Sequence, residues 1–199
     1  MNIFILDDDP VRSARYHVDR HLVSQTKESL QLLGTAFRLT TEGAPDWVYK
    51  STHASHPCGV WTRESLANWT WLRQFAFLLV LEGRYRYGRV WEQWLNMLAQ
   101  HPVPNLPDRR LTPFAQAMPE DLRSPTDPVL GYRRYYNENK QHLFSWKRRA
   151  PPPWIRYSNL SSGQRIQRQL LHTTDLVTYD VQDDSTWPEE LRLHLRSLP

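Results

Sequence analysis

The chain has 199 residues, the size of one domain, with a net charge of +4. A hydrophobic fraction of 40%, including nine Trp, nine Tyr and six Phe, supplies a real core and excludes a wholly disordered chain. The lone Cys58 excludes an internal disulfide, no run approaches the roughly 20 apolar residues of a membrane span, and the short apolar run at 3–6 meets Asp7, Asp8 and Asp9 at once, unlike a secretory signal.

In chain order, residues 2–6 are predicted as a short buried strand. Asp9-Pro10 is a helix start, because Asp caps free amides and Pro is preset for the first turn. One helix is expected over 10–37, its core stripe running through Val18, Leu22, Leu30 and Leu33. A Gly-, Pro- and Ser-containing loop follows at 40–57. A second helix over 62–81 is apolar almost all round and is expected to be central. Gly83 and Gly88 bracket a segment expected to fray or turn, before a shorter helix at 90–100. Prolines make 101–128 irregular, with at most one helical turn near 113–118. Asp127-Pro128 repeats the start signal for a helix to about 146, which Pro151-Pro152-Pro153 ends. The tail is predicted to hold a helix at 163–172, a strand at 176–181 and a helix after 188. The expected fold is therefore mainly α: a single compact helical domain with a short N-terminal strand and a small mixed C-terminal tail. Its parts are a helical catalytic and DNA-binding portion at 1–155 and an extension at 156–199 packing on it.

The charge is unevenly spread. Residues 130–170 carry nine basic side chains against the single acid Glu138, whereas 171–199 carry six acids against two arginines. Arg interleaved with Tyr and Trp in the basic block suits phosphate pairing with base stacking, which makes nucleic acid, and DNA first, the expected partner. Arg133, Lys147, Arg148 and Arg149, with Arg86 from the earlier basic segment, are the candidate phosphate contacts. A solvated helix face is the alternative reading of such a block.

Several constellations could carry chemistry. His17, His21, Ser24 and Glu28 fall at helical spacing and form one polar stripe, with Asp19 at its flank; a carboxylate and an imidazole there can share proton transfer. Asp9 sits where strand meets helix, and Glu64 and Asn68 are expected partly desolvated on the first turns of the buried helix, beside Trp61. His53, His56 and Cys58 invite a metal reading, but neither paired CxxC nor HExxH is present, so no metal and no cofactor is expected. Phosphate-loop, GxGxxG and GxSxG motifs are also absent.

Taken together, the opening Asn2-Ile3-Phe4-Ile5-Leu6-Asp7-Asp8-Asp9-Pro10, then His17-Val18-Asp19-Arg20-His21 with Glu28, then Thr52-His53 with His56-Pro57-Cys58 and Trp61, resemble a family of small phage and bacterial proteins. The likeness continues through Tyr85-Arg86-Tyr87-Gly88-Arg89, Leu111-Thr112-Pro113-Phe114-Ala115-Gln116-Ala117-Met118-Pro119, Asp127-Pro128-Val129 and Trp146-Lys147-Arg148, and covers about residues 1–155. The chain is also similar to bacterial anti-phage DNA glycosylases that remove glucosylated cytosine. That resemblance implies a cytoplasmic, monofunctional glycosylase that flips a modified pyrimidine and leaves an abasic site. Glu28 and Asp9, then Asp19 and Glu64, are its candidate carboxylates, and His21 would assist the departing base. His53, His56, Trp61, Asn68 and Tyr85 would bind the base. Where the family usually carries Lys at positions 20 and 24, this chain has Arg20 and Ser24, which argues against a Schiff-base lyase. A base-hypermodification transferase and a non-enzymatic DNA-binding or host-interaction protein are the alternatives.

Overall fold

The structure, a computed structural model, describes residues 1–88 and 91–157. Six α-helices and two short 3₁₀ turns make up the described fold, and no strand occurs among these residues. The expected strand at 2–6 is thus replaced by a buried segment of irregular backbone, with Ile3, Phe4, Ile5 and Leu6 all in the core. With no neighbouring strand, side chains take its amides instead. The Asn2 amide donates to Glu28 Oε2 (2.8 Å), the Ile3 amide to Asn2 Oδ1 (2.9 Å) and the Leu6 amide to Ser13 Oγ (2.9 Å).

Asp9 accepts from the Val11 amide (2.8 Å) and starts α1, Pro10–Tyr16. The expected single helix is broken at His17 and Val18, which adopt extended backbone before α2, Asp19–Thr40. Arg86 explains the break. Its guanidinium donates to the carbonyls of Arg15 (2.7 Å) and His17 (2.9 Å), satisfying groups that a continuous helix would have used.

The predicted buried helix is likewise two elements. His56 caps α3, Pro57–Thr62, and Ser65 caps α4, Leu66–Tyr87, accepting from the Asn68 amide (3.1 Å). The segment expected to fray is helical throughout and stops at Gly88, whose φ of 64° is the left-handed conformation glycine reaches without strain. Gly83 stays inside the helix because the Trp91 ring occupies the space its Cβ would need. That contact seats α5, Glu92–Ala99, on α4. Arg73 fixes the other end by donating to the carbonyls of Leu98 (2.6 Å) and Ala99 (2.7 Å).

The proline-rich stretch is irregular as expected, but its helical turn lies at Glu120–Leu122 rather than 113–118. Asp127 caps α6, Pro128–Asn139, accepting from the Leu130 amide (2.9 Å). This helix is shorter than predicted and passes into the 3₁₀ turn Gln141–Leu143. The core lies chiefly between α2 and α4, with α1, α3 and α6 around them. The expected tail elements lie outside the described residues. Among the described helices, none is long and apolar enough to cross a membrane.

Candidate active site

The carboxylate of Glu28 is preorganised. Oε2 accepts from the Asn2 amide (2.8 Å) and from Gln25 Nε2 (3.3 Å), and the side chain keeps 26% of its surface open. Asn2 is itself held, since its Nδ2 donates to the Ala117 carbonyl (2.8 Å) and its Oδ1 accepts from the Tyr132 hydroxyl (2.8 Å). Cys58, within electrostatic reach of Glu28, points its sulfur at the same Asn2 oxygen (3.7 Å). Burial pushes the Cys58 thiol up to about 11, so it is a packing group and not a nucleophile.

Two helical turns earlier, about 10 Å along the axis, His21 lies on the same face of α2. Its ring stacks on Phe4 (4.8 Å between centroids), and Nδ1 lies 2.6 Å from the Tyr136 hydroxyl. A Tyr136 hydroxyl that donates to Nδ1 leaves the imidazole proton on Nε2. Burial, followed by the charges of Lys140, Arg20 and His142, lowers His21 to about 4 and keeps it neutral at pH 7. Lys140 and Arg20 give the rim around His21 a positive field. His17, by contrast, is fully enclosed. It donates from Nδ1 to the Ser13 carbonyl (2.8 Å), is pushed down to about 3 by burial, and belongs to the core, not to an exposed stripe.

The structure gives several other expected site residues structural work. Asp19 ties three elements together: it pairs with Arg86 (3.0 Å) and accepts from Ser145 Oγ (2.7 Å) and the Lys147 amide (2.9 Å). Arg86, expected on a DNA face, is completely buried between Asp19 and Glu82 (2.7 Å) and cannot meet a phosphate there. Arg149 also turns inward, to Glu82 (2.8 Å). Asn68 is buried, donating to the Trp61 carbonyl (2.8 Å) and Thr112 Oγ1 (2.7 Å) and accepting from the Thr112 amide (2.9 Å), which leaves no group to read a base. Trp61 is in the core. Glu64, expected partly desolvated, is exposed and accepts from Thr112 (2.8 Å). Asp9 is occupied as a cap and by Arg12 (3.3 Å).

Other candidates remain at the surface. His53 is exposed, with φ 51° and Nδ1 2.7 Å from Thr52 Oγ1. His56 is half-buried, and its Nδ1 accepts from the Cys58 amide (3.2 Å); burial lowers its pKa. Arg148 (φ 59°) is the other described non-glycine residue with positive φ, and it is locked to Tyr85 by two hydrogen bonds, 3.1 and 3.3 Å. Such strained positions persist only where surroundings fix them, and they concentrate at functional loops. Lys147 is exposed with its ammonium 5.1 Å from the Tyr87 ring. Arg133 is partly exposed, bound to the Leu6 carbonyl (2.8 Å) and Asp7 (2.9 Å).

Tyr136, Tyr132, Asn2 and Gln25 were not singled out as site residues by sequence reasoning. The available signal was that a buried Tyr hydroxyl needs a partner. Among the described residues, no three His, Cys, Asp or Glu side chains converge to hold a metal. Comparison with protein-family models, curated proteins and solved structures finds no match to this chain.

Proposed function

We propose that the chain is a monofunctional DNA glycosylase acting on a flipped, modified pyrimidine, in the cytoplasm, where phage DNA would be its substrate. One observation carries this reading: a fixed, partly open carboxylate and a neutral imidazole hydrogen-bonded to Tyr136 share one face of α2, beside basic side chains. The resemblance in ordered motifs supplies the substrate class, with glucosylated hydroxymethylcytosine the first candidate.

In the proposed reaction the bond between C1′ and the base nitrogen breaks as positive charge develops at the sugar. Glu28 stabilises that charge and accepts a proton from the water whose oxygen bonds to C1′. With its proton on Nε2, His21 hydrogen-bonds the departing base, which leaves with the bond's electron pair and takes a proton from solvent, while Glu28 returns the proton it accepted to solvent. Arg20, Lys140, Lys147 and Arg148 supply positive charge for the backbone. The test is incubation with unmodified, hydroxymethylated and glucosylated DNA, followed by chromatography for free base and cleavage at abasic sites. Release from one modified DNA is expected. DNA binding without release from any of the three would leave a binding protein instead.

A further inference from the structure

The loop 41–56 and α5 enclose an open cleft of about 670 Å³, within the range of small-molecule sites. One wall is aromatic: Trp47, 41% exposed, and Tyr49. The other is a single stripe of α5, on which Glu92, Gln93, Asn96 and Gln100 recur at helical spacing while Leu98 turns to the core.

Both walls are fixed before any ligand arrives. Arg38 donates to the carbonyls of Pro45 (3.2 Å), Val48 (2.7 Å) and Tyr49 (2.9 Å), so one guanidinium holds the loop in shape. The Tyr49 carbonyl approaches α2 at Gly34, where a Cβ would come within 2.8 Å of it. Trp47 packs edge-on against buried His101, and α5 is clamped at its two ends by Trp91 and Arg73. An exposed indole held this rigidly offers its area at little entropic cost.

The lining chemistry selects the ligand. Three carboxamides present donors and acceptors together, as vicinal hydroxyls require, and the aromatic faces suit the apolar C–H face of a sugar ring. The lining contains one carboxylate and no cation, so it does not favour phosphate. We propose that this cleft binds a neutral hexopyranose. The site is independent of the glycosylase reading.

The test is saturation-transfer NMR and tryptophan fluorescence titration of the intact protein with methyl glucoside, methyl galactoside, N-acetylglucosamine and thymidine monophosphate. At least one sugar should bind saturably at roughly millimolar Kd. Trp47→Ala and Asn96→Ala should each weaken it by about tenfold, with unchanged circular dichroism. Asn96 is exposed, so its replacement tests the cleft without disturbing the core. No saturable binding of any sugar up to about 100 mM would overturn the proposal. So would sugar binding unaffected by both substitutions, or a nucleotide preferred over every sugar.

Discussion

Glu28 owes its position to the residue that should have been in a strand. Because Asn2 has no ladder partner, its amide goes to the Glu28 carboxylate, and its side chain locks into Tyr132 and Ala117. On the proposed glycosylase mechanism, replacing Glu28 with Gln keeps shape but removes the charge that an oxocarbenium-like state needs, so base release should fall by roughly 10² or more in single-turnover assays. His21→Ala should cost less, since in the proposed mechanism that ring assists the leaving group without facing the sugar's charge. Tyr136→Phe removes the hydroxyl bonded to His21 Nδ1, and on the proposed mechanism its effect should appear as slower release with DNA affinity unchanged. Because His21 is held near 4, release should show no His21 titration between about pH 5.5 and 8. A limb near 6.5 assigned to His21 would mean that its ring is not enclosed as described. Full activity in a folded Glu28→Gln protein would move the chemistry elsewhere.

At the scale of elements, Arg86 decides the topology of the first forty residues. It ends α1 by taking the carbonyls of Arg15 and His17, and it pairs with Asp19 and Glu82 while fully enclosed. Arg86→Met would leave Asp19 without its ion-pair partner and Glu82 with Arg149 alone, at a cost of about 3–5 kcal/mol measurable by urea denaturation. The salt dependence of DNA binding by the surviving folded fraction should stay the same. A stable variant with a shallower salt slope would instead return Arg86 to the DNA face. Local signals made much of this architecture legible: the Asp9-Pro10 and Asp127-Pro128 starts, the periodic face of α2 and the proline-rich irregular segment all appear where expected. The break at His17 was not legible, because its cause lies on α4, dozens of residues away. The strand at 2–6 failed for the complementary reason, since an apolar run shows burial but not whether a second strand stands beside it. The site divided in the same way. Glu28 and His21 share one face of α2 as their spacing predicts, whereas the burial of Arg86 and Asn68 and the ion pairing of Asp19 depend on long-range partners that spacing does not reveal.

Across the whole molecule, surface charge and buried imidazoles give opposite kinds of electrostatic control. Positive groups outside should make DNA affinity fall with salt. Replacing exposed Arg134, Lys147 and Arg148 together should flatten the log–log slope by at most about three units, and no change would place the DNA elsewhere. Inside, His17, His21 and His101 are held neutral by burial, at about 3, 4 and 4, against an ordinary value of 6.5. They come from the α1–α2 junction, from α2 and from the residues after α5, so their shared response belongs to the fold as a unit. In the unfolded chain each ring takes a proton as pH falls below 6.5, while the native rings wait until about 4 or lower. The unfolded state therefore binds more protons in that window, and stability must fall as pH is lowered through it. Above about pH 7 the contribution is flat. Between pH 6.5 and 5 each histidine can remove up to about 2 kcal/mol, a large share of a stability of about 5–15 kcal/mol. Urea midpoints measured from about pH 7.5 downward should hold level and then drop steeply below 6.5. His101→Phe, set among Phe37, Trp47 and Trp69, should remove one proton from that slope even if it lowers stability at pH 7. Midpoints that stay level or rise from pH 7 to 5 would show that these imidazoles are not buried as neutral rings.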